Sequence, residues 1–168
     1  GCDINGIMYC GGSREHDDVM EGFMIIQFFV AMIATASFAV LFYAPKKTLL
    51  LAAITGAIGW IIYLSLKNFG YSSIIYAFTS AFVLTLLSRI FAVIMKNPVT
   101  MYLIPGIFPI VPGAGIYQTA YYFFMNNMSL FVYNGLETIK IALSITFGII
   151  FALAIPQKLF SYCRKISA

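Results

Sequence analysis

The stretch that decides the fold is Leu103-Ile-Pro-Gly-Ile-Phe-Pro-Ile-Val-Pro-Gly-Ala-Gly-Ile-Tyr117, which holds three prolines and three glycines among apolar residues. Proline removes a backbone N–H donor and interrupts the hydrogen bonds of a helix, and glycine makes the neighbouring backbone more flexible. In a bilayer, freed N–H and C=O groups cost several kcal/mol each unless protein or a water-filled cavity satisfies them. A helix broken in this way between apolar segments is therefore typical of a binding site in a membrane transporter.

The composition places the chain in a membrane. Of its 168 residues 61% are hydrophobic and only 10% are charged, with a mean hydropathy of +0.92. A soluble domain is usually about half apolar and about a quarter charged. The net charge of +4 comes from short basic clusters between apolar segments, which is the pattern of membrane topology rather than of nucleic-acid binding.

The hydrophobic pattern predicts an all-α integral membrane protein with about five transmembrane helices, the fourth broken by the Pro/Gly-rich segment. About 20 apolar residues are enough to cross some 30 Å of hydrocarbon as a helix. Gly70 is expected just past the end of the second helix. Residues 126–135 are predicted as a polar and aromatic loop, and small residues four apart in four of the spans as helix contacts. The predicted spans are 23–43, 48–66, 71–95, 99–125 and 138–155.

The basic residues predict the orientation. With five crossings, most of them collect on one side, and the positive-inside rule makes that side the cytoplasm. The N-terminus is then outside and the C-terminus cytoplasmic, in a multi-pass protein of the cytoplasmic membrane. If the fourth segment re-entered instead of crossing, the C-terminus would move outside. The cytoplasmic set is Lys46, Lys47, Lys96, Lys158, Arg164 and Lys165, and the opposite side holds Arg14, Lys67 and Lys140.

Residues 1–19 form a polar segment that we interpret as an N-terminal extension or an added tail, since Met20 would make a natural initiator. The remainder, 20–165, is predicted as a single transmembrane domain. Cys2 and Cys10 could form a disulfide in an oxidising compartment. Together with His16 they match no standard zinc spacing, so no metal site and no cofactor are predicted.

Titratable groups are scarce within the predicted spans, which hold no Asp and no His. Catalysis needs such groups brought together, so we do not predict an enzyme. Glu137 is expected at the start of the fifth span, where it would favour the helix N-terminus and pair with Lys140, or else act as a charge along a transport pathway. Arg89 either extends to the cytoplasmic interface or lines the pathway and attracts an anion.

The broken segment supplies the predicted substrate site. Gly113-Ala114-Gly115 opens a new half-helix whose first N–H groups lack intrahelical partners and carry the positive end of the helix dipole. That arrangement can hold a carboxylate, and the polar residues that follow could bond an amine or a hydroxyl. The alternative is a kinked helix used only for packing. The predicted substrate-binding residues are Pro109, Pro112, Gly113, Ala114, Gly115, Tyr117, Gln118 and Thr119.

The run from Pro105 to Tyr117, preceded by Ser88-Arg89-Ile90 and Lys96-Asn97-Pro98, resembles the threonine/serine exporter family. The resemblance covers about residues 20–164 and is closest to the small membrane subunit found in bacteria beside a larger partner. It implies secondary export of threonine and serine, or of dicarboxylates such as succinate. The family pattern often has an acid after Ser88 and an arginine one turn later, where this chain has Arg89 and Val93. No ion pair is therefore expected within this helix.

The leading hypothesis is thus a subunit of a secondary exporter of small carboxylate-bearing metabolites, with a larger membrane subunit as partner, a homo-oligomer, or both. Because the spans offer no titratable group beyond Glu137, the partner is expected to supply any proton coupling. A structural or regulatory membrane subunit, whose broken helix only docks its partner, is one alternative. A homo-oligomeric solute channel is the other.

Overall fold

The computed structural model describes residues 13–156, and the side chains of all of these except 13–23, 46 and 47. The described part is helical throughout, and four of its helices are long and apolar enough to cross a membrane. The all-α membrane fold is therefore confirmed. The helices are α1 (Ser13–Leu41), α2 (Lys46–Asn68), α3 (Ser73–Met95), α4 (Thr100–Ile107), α5 (Gly113–Phe124) and α6 (Met128–Ala154).

Tight turns separate the first three helices, close to where the sequence places them. Gly70 follows α2 with a φ of 77°, a left-handed conformation that glycine adopts without strain, so its predicted position is confirmed. Tyr43, in the turn between α1 and α2, also has a left-handed φ of 56°. The α1–α2 and α2–α3 hairpins therefore fold back directly, and each helix packs against the next.

Helices α3 and α6 run parallel, so the chain between them must return along the bundle. Ser73 Oγ donates to Glu137 Oε2 at 3.1 Å, across 64 positions of the chain. Arg89 Nη1 donates to the carbonyl of Ala152 at 2.7 Å, across 63 positions. The nearly constant separation shows that both helices point the same way. The chain leaves α3 at one end of the bundle and reaches the start of α5 near the other, where Gly115 contacts Thr138, so α4 and the residues that connect it to α5 make the return.

Small residues mediate the close approach of the helices, as their spacing predicts. Ala31, Thr35 and Ala39 are all buried on one face of α1. A Cβ added to Gly56 would collide with the side chain of Thr35, and one added to Gly148 would lie 2.7 Å from the carbonyl oxygen of Phe78. In a bilayer the hydrophobic effect does not drive helices together. Small residues allow the close van der Waals packing of helix backbones that takes its place.

Two predicted boundaries are wrong by about a helical turn or more. The loop expected at 126–135 is largely helix, because α6 begins at Met128. Asn127 is the N-cap, and its side-chain oxygen accepts the N–H of Leu130 at 3.3 Å. Helix α1 likewise begins at Ser13, so the end of the polar N-terminal segment is helical. Cys2 and Cys10, with the disulfide considered for them, and the basic tail from 157 onward lie outside the described residues.

Candidate functional site

The break between α4 and α5 is held by a few short-range hydrogen bonds. The carbonyl of Ile107 accepts the N–H of Ile110 at 2.8 Å and that of Val111 at 3.2 Å. Pro112, with φ −75° and ψ 59°, then turns the chain so that the N–H of Gly113 reaches the carbonyl of Val111 at 2.7 Å. Residues 108–112 therefore form a folded connection between two separate helices, as the prolines predict.

The break begins near the middle of the bundle. Ile110 is buried and packs with Leu84, in the middle of α3. Its Cδ1 would lie 3.2 Å from a Cβ added to Gly59, in the middle of α2. Gly115, in contrast, packs on Thr138, whose neighbour Glu137 bonds the first residue of α3. The connection thus leads from the centre of the bundle towards the end where α3 begins.

Helix α4 anchors this connection in the core. Four of its eight residues are buried: Tyr102, Leu103, Pro105 and Gly106. Tyr102 packs among small residues of α1, α2 and α3. Just past the helix, the ring of Phe108 stacks on that of Phe38 with centroids 4.0 Å apart. Pro109 and Pro112 are half-buried. The first half of the broken segment is therefore fixed to α1, α2 and α3.

Helix α5 is placed very differently. It has no buried residue, and among the described residues it packs against α6 alone. Gly115 allows close contact with the Thr138 side chain, and Thr119 faces Gly135 one turn further along. Thr119 Oγ1 donates to the carbonyl of Gly115 at 2.7 Å. The contacts of Gly115 and Thr119 are therefore those of helix packing in the α5–α6 hairpin.

The start of α5 offers free backbone donors. The N–H of Gly113 bonds Val111 and that of Ile116 bonds the carbonyl of Pro112 at 3.0 Å. Within residues 13–156, the N–H groups of Ala114 and Gly115 have no hydrogen-bond partner. They lie at the positive end of the helix dipole, where an anion is favoured.

The neighbouring predicted site residues remain accessible. Gly113 and Ala114 are exposed, and nothing lies within 4 Å of a Cβ added to Gly113. Tyr117 is 70% exposed and Gln118 is also exposed, one turn along α5. The structure thus brings the start of α5 and these two side chains together at an open end of the helix.

Comparison with known families decides the identity of the chain. The family model described as "Threonine/Serine exporter, ThrE" matches residues 27–155. The chain belongs to the threonine/serine exporter family. The matched range includes the break, α4, α5 and almost all of the described bundle. No curated protein and no solved structure matches the chain. Family membership makes it a membrane-embedded protein of the transporter type, and implies a transporter rather than an enzyme.

Arg89 of this exporter-family chain lies away from the break, at the end of α6. Only 5% of Arg89 is exposed, and Nη1 donates to the carbonyls of Ala152 at 2.7 Å, Leu153 at 3.2 Å and Ile155 at 2.7 Å. The last carbonyls of a helix lack intrahelical partners and carry the negative end of its dipole. Arg89 therefore caps α6 from α3, an arrangement that neither sequence interpretation included, because its partners lie more than 60 residues further along the chain.

Glu137 occupies the opposite end of the same helix pair. Its carboxylate accepts from Ser73 Oγ at 3.1 Å and from Lys140 Nζ at 2.8 Å. The predicted pair with Lys140 is confirmed. The expected place at the start of its own helix is wrong, because α6 begins at Met128. Glu137 lies instead beside the start of α3. Glu137 of α6 therefore faces the N-terminus of α3, and Arg89 of α3 caps the C-terminus of α6.

An apolar groove of about 490 Å³ lies between α5 and α6. The only hydroxyls among its lining residues belong to Thr119 and Thr138, and each donates to a carbonyl of its own helix. The groove therefore offers nothing to recognise a carboxylate. Sequence reasoning missed it, because residues 126–135 were predicted as a loop. Its lining residues are Ile116, Thr119, Ala120, Phe123, Phe124, Phe131, Gly135, Thr138 and Ile139.

Proposed function

We propose that the chain is a membrane subunit of a secondary transporter that exports small carboxylate-bearing metabolites, with threonine and serine, or dicarboxylates such as succinate, as substrates. The observation that carries the proposal is the pair of unbonded N–H groups of Ala114 and Gly115 at the start of α5. They belong to a chain of the threonine/serine exporter family. A carboxylate at this position would accept both donors and meet the positive end of the α5 dipole.

The position of these donors suits a substrate that leaves the bundle. The break begins beside Leu84 in the middle of α3, and α5 starts near the level of Ser73. A metabolite moving along the break would therefore meet the free N–H groups near one end of the crossing. Tyr117 and Gln118, both exposed there, would bond its amine or hydroxyl. In the proposed orientation, with the N-terminus outside the cytoplasmic membrane, that end is the outer one.

A second subunit completes the proposal. A proton-coupled exporter needs a titratable group inside the membrane, and Glu137 is the only acid among residues 22–156. Its carboxylate is already bonded to Ser73 and Lys140 at one end of the bundle. We therefore assign the coupling group to a larger membrane subunit of the same family. The exposed start of α5 leaves room for that subunit to close the substrate site.

Export of labelled threonine, serine and succinate from membrane vesicles tests this function, with the chain present alone and together with the larger subunit. Gly113→Leu adds a side chain beside the free donors without a clash, since nothing lies within 4 Å of that Cβ. Ala114→Pro removes one donor, and the first turn of a helix accepts proline. Ala114→Ser keeps the donor and is the matched control.

We expect export only with both subunits. Gly113→Leu and Ala114→Pro should each lower the export rate about tenfold or more, since a hydrogen bond to a charged group contributes about 1.5–3 kcal/mol. Ala114→Ser should export normally. Export by the chain alone would support a homo-oligomeric channel instead. If every combination fails to export while the proteins remain folded, the chain is a structural or regulatory subunit and the proposal is wrong.

A further inference from the structure

Ile110 is the only buried residue of the connection 108–112, with 1% of its surface exposed. It packs in a cluster of apolar side chains, and its Cδ1 would lie 3.2 Å from a Cβ added to Gly59 of α2. This socket for Ile110 lies on the seam between the connection and helices α2 and α3. Its other buried residues are Ala77, Ala81 and Leu84 of α3, Leu103 of α4 and Ile145 of α6.

Backbone hydrogen bonds do not tie the connection to the other helices of the bundle. Within the described part of the chain, the N–H groups of residues 110–113 bond only the carbonyls of Ile107 and Val111. Side chains hold the connection instead. Ile110 fills its socket, and Phe108 stacks on a ring of α1 with centroids 4.0 Å apart. Ile110 can therefore leave the socket without breaking a backbone hydrogen bond to another helix.

Two tyrosines close the same seam nearer the end of the bundle where α3 begins. Ser80 Oγ donates to the carbonyl of Gly59 at 2.9 Å, at the level of Ile110. Tyr63 follows Gly59 by four residues and Tyr76 precedes Ser80 by four, so both lie about one helical turn closer to that end. Their rings pack edge to face with centroids 4.7 Å apart, and both contact the cluster that holds Ile110. Side chains thus occupy the seam from the bundle centre outwards.

We propose that Ile110 is the gate of the transport route. In the structure described here the gate is closed, because an apolar side chain fills the socket and excludes water, as hydrophobic constrictions do in channels. When Ile110 leaves the socket, the seam opens from the middle of α3 towards the free N–H groups of Ala114 and Gly115. This role rests on the proposed function, because a gate requires a solute that moves along the break.

Cysteine accessibility in membrane vesicles that hold both subunits tests the gate. In a background with the native Cys2, Cys10 and Cys163 replaced by serine, Ile110→Cys places a single thiol in the socket. The matched control is Leu103→Cys, in the same cluster but on α4 and 8% exposed in the native chain. A water-soluble maleimide should modify position 110 several-fold faster during export of threonine, serine or succinate than in the absence of these solutes. Position 103 should react equally slowly in both conditions.

Truncation of the side chain provides the second measurement. Ile110→Ala leaves the socket partly empty, so labelled solute should leak from the vesicles several-fold faster after the driving gradients have been collapsed. Leu103→Ala removes a similar volume from the same cluster and should leave the leak unchanged, and Ile110→Val should leak less than Ile110→Ala. The fluorescence of Trp60, the single tryptophan, reports whether each variant is folded.

The outcomes separate the gate from the proposed function. If the vesicles export but a thiol at position 110 stays as protected as one at position 103, the gate is wrong and the exporter function stands. Equal leaks from Ile110→Ala and Leu103→Ala, whether raised or not, would overturn the gate in the same way, since they would reflect packing alone. If the wild type with both subunits exports none of the three solutes, the proposed function is wrong and the gate falls with it.

Discussion

Replacement of Arg89 by methionine tests whether this buried cation fastens α6 to α3. Methionine keeps the length and apolar stem of the side chain but removes all three bonds to the carbonyls of Ala152, Leu153 and Ile155. Hydrogen bonds between helices in a membrane contribute about 0.6 kcal/mol each on average. A cation at a partly buried helix C-terminus contributes up to about 2 kcal/mol. We therefore expect Arg89→Met to lower the free energy of unfolding by about 2–4 kcal/mol.

The assay is SDS-driven unfolding of the purified protein, followed by the fluorescence of Trp60. That indole donates to Gln27 at 3.1 Å and stacks on Tyr63, which contacts Tyr76 of α3, so its emission reports the packing of three helices. Lys67→Met is the matched control. It removes an exposed cation from the last turn of α2 and should cost no more than about 1 kcal/mol.

The opposite result would refute this account of Arg89. If Arg89→Met unfolds like the wild type but no longer exports its substrate, the guanidinium acts on a permeating anion and not on α6. Arg89→Lys separates the two roles further. Lysine keeps the positive charge but lacks the forked guanidinium, so a capping role predicts only partial recovery of stability, whereas attraction of an anion predicts largely restored transport.

Two further substitutions test the pairing of α3 and α6. Gly148→Leu should destabilise the protein by at least about 1–3 kcal/mol, because even its Cβ would meet the carbonyl oxygen of Phe78 at 2.7 Å. Gly113→Leu, where nothing lies within 4 Å, should unfold like the wild type, and equal stabilities of the two variants would contradict the packing described here. Glu137→Gln should cost at most about 1 kcal/mol in the same assay, because its pair with Lys140 is half-exposed. The loss should shrink as salt is added, and a loss as large as that of Arg89→Met would show that the carboxylate is essential to the bundle.

Sequence reasoning succeeded where a local signal decides the structure. Gly70 ends α2 because a left-handed residue is needed there, and Pro109 and Pro112 lie in the connection between α4 and α5, where each removes a backbone donor. Pro105, in contrast, lies inside α4 and does not end it. It failed at Asn126 and Asn127, whose polar character predicts a loop. One of them has a positive φ in a tight turn and the other caps α6. Asparagine is favoured both in turns and at helix N-caps, so its presence alone does not distinguish them.

The candidate site was only partly predictable for a different reason. The start of α5 follows from the Pro/Gly pattern, but the packing of Gly115 and Thr119 against α6 depends on where that helix begins. The bonds of Arg89 join residues 63 to 66 positions apart, and no periodicity within a single helix reports such a partner. A single sequence therefore identifies a buried cation as unusual without saying what compensates its charge.

The parallel arrangement of α3 and α6 explains the positions of Glu137 and Arg89. Side-by-side parallel helices place the positive ends of their dipoles together and the negative ends together, which is unfavourable at both. Here α6 supplies Glu137 beside the start of α3, and α3 supplies Arg89 at the end of α6. Each helix thus provides the charge that the other's end favours, and the two contacts fix one register.

Because α3 and α6 are held together in this way, some parts of the bundle are packed more firmly than others. Helix α4 is packed into α1, α2 and α3, and α6 is bonded to α3 at both ends, whereas α5 contacts only α6 among the described residues. Few buried contacts mark the regions of a protein that open most easily. Within the described chain, we therefore expect α5 to shift most easily at the residues after the buried Ile110 and at the turn at 125–127. That shift would move the free N–H groups of Ala114 and Gly115, the proposed carboxylate-binding site, relative to the rest of the bundle.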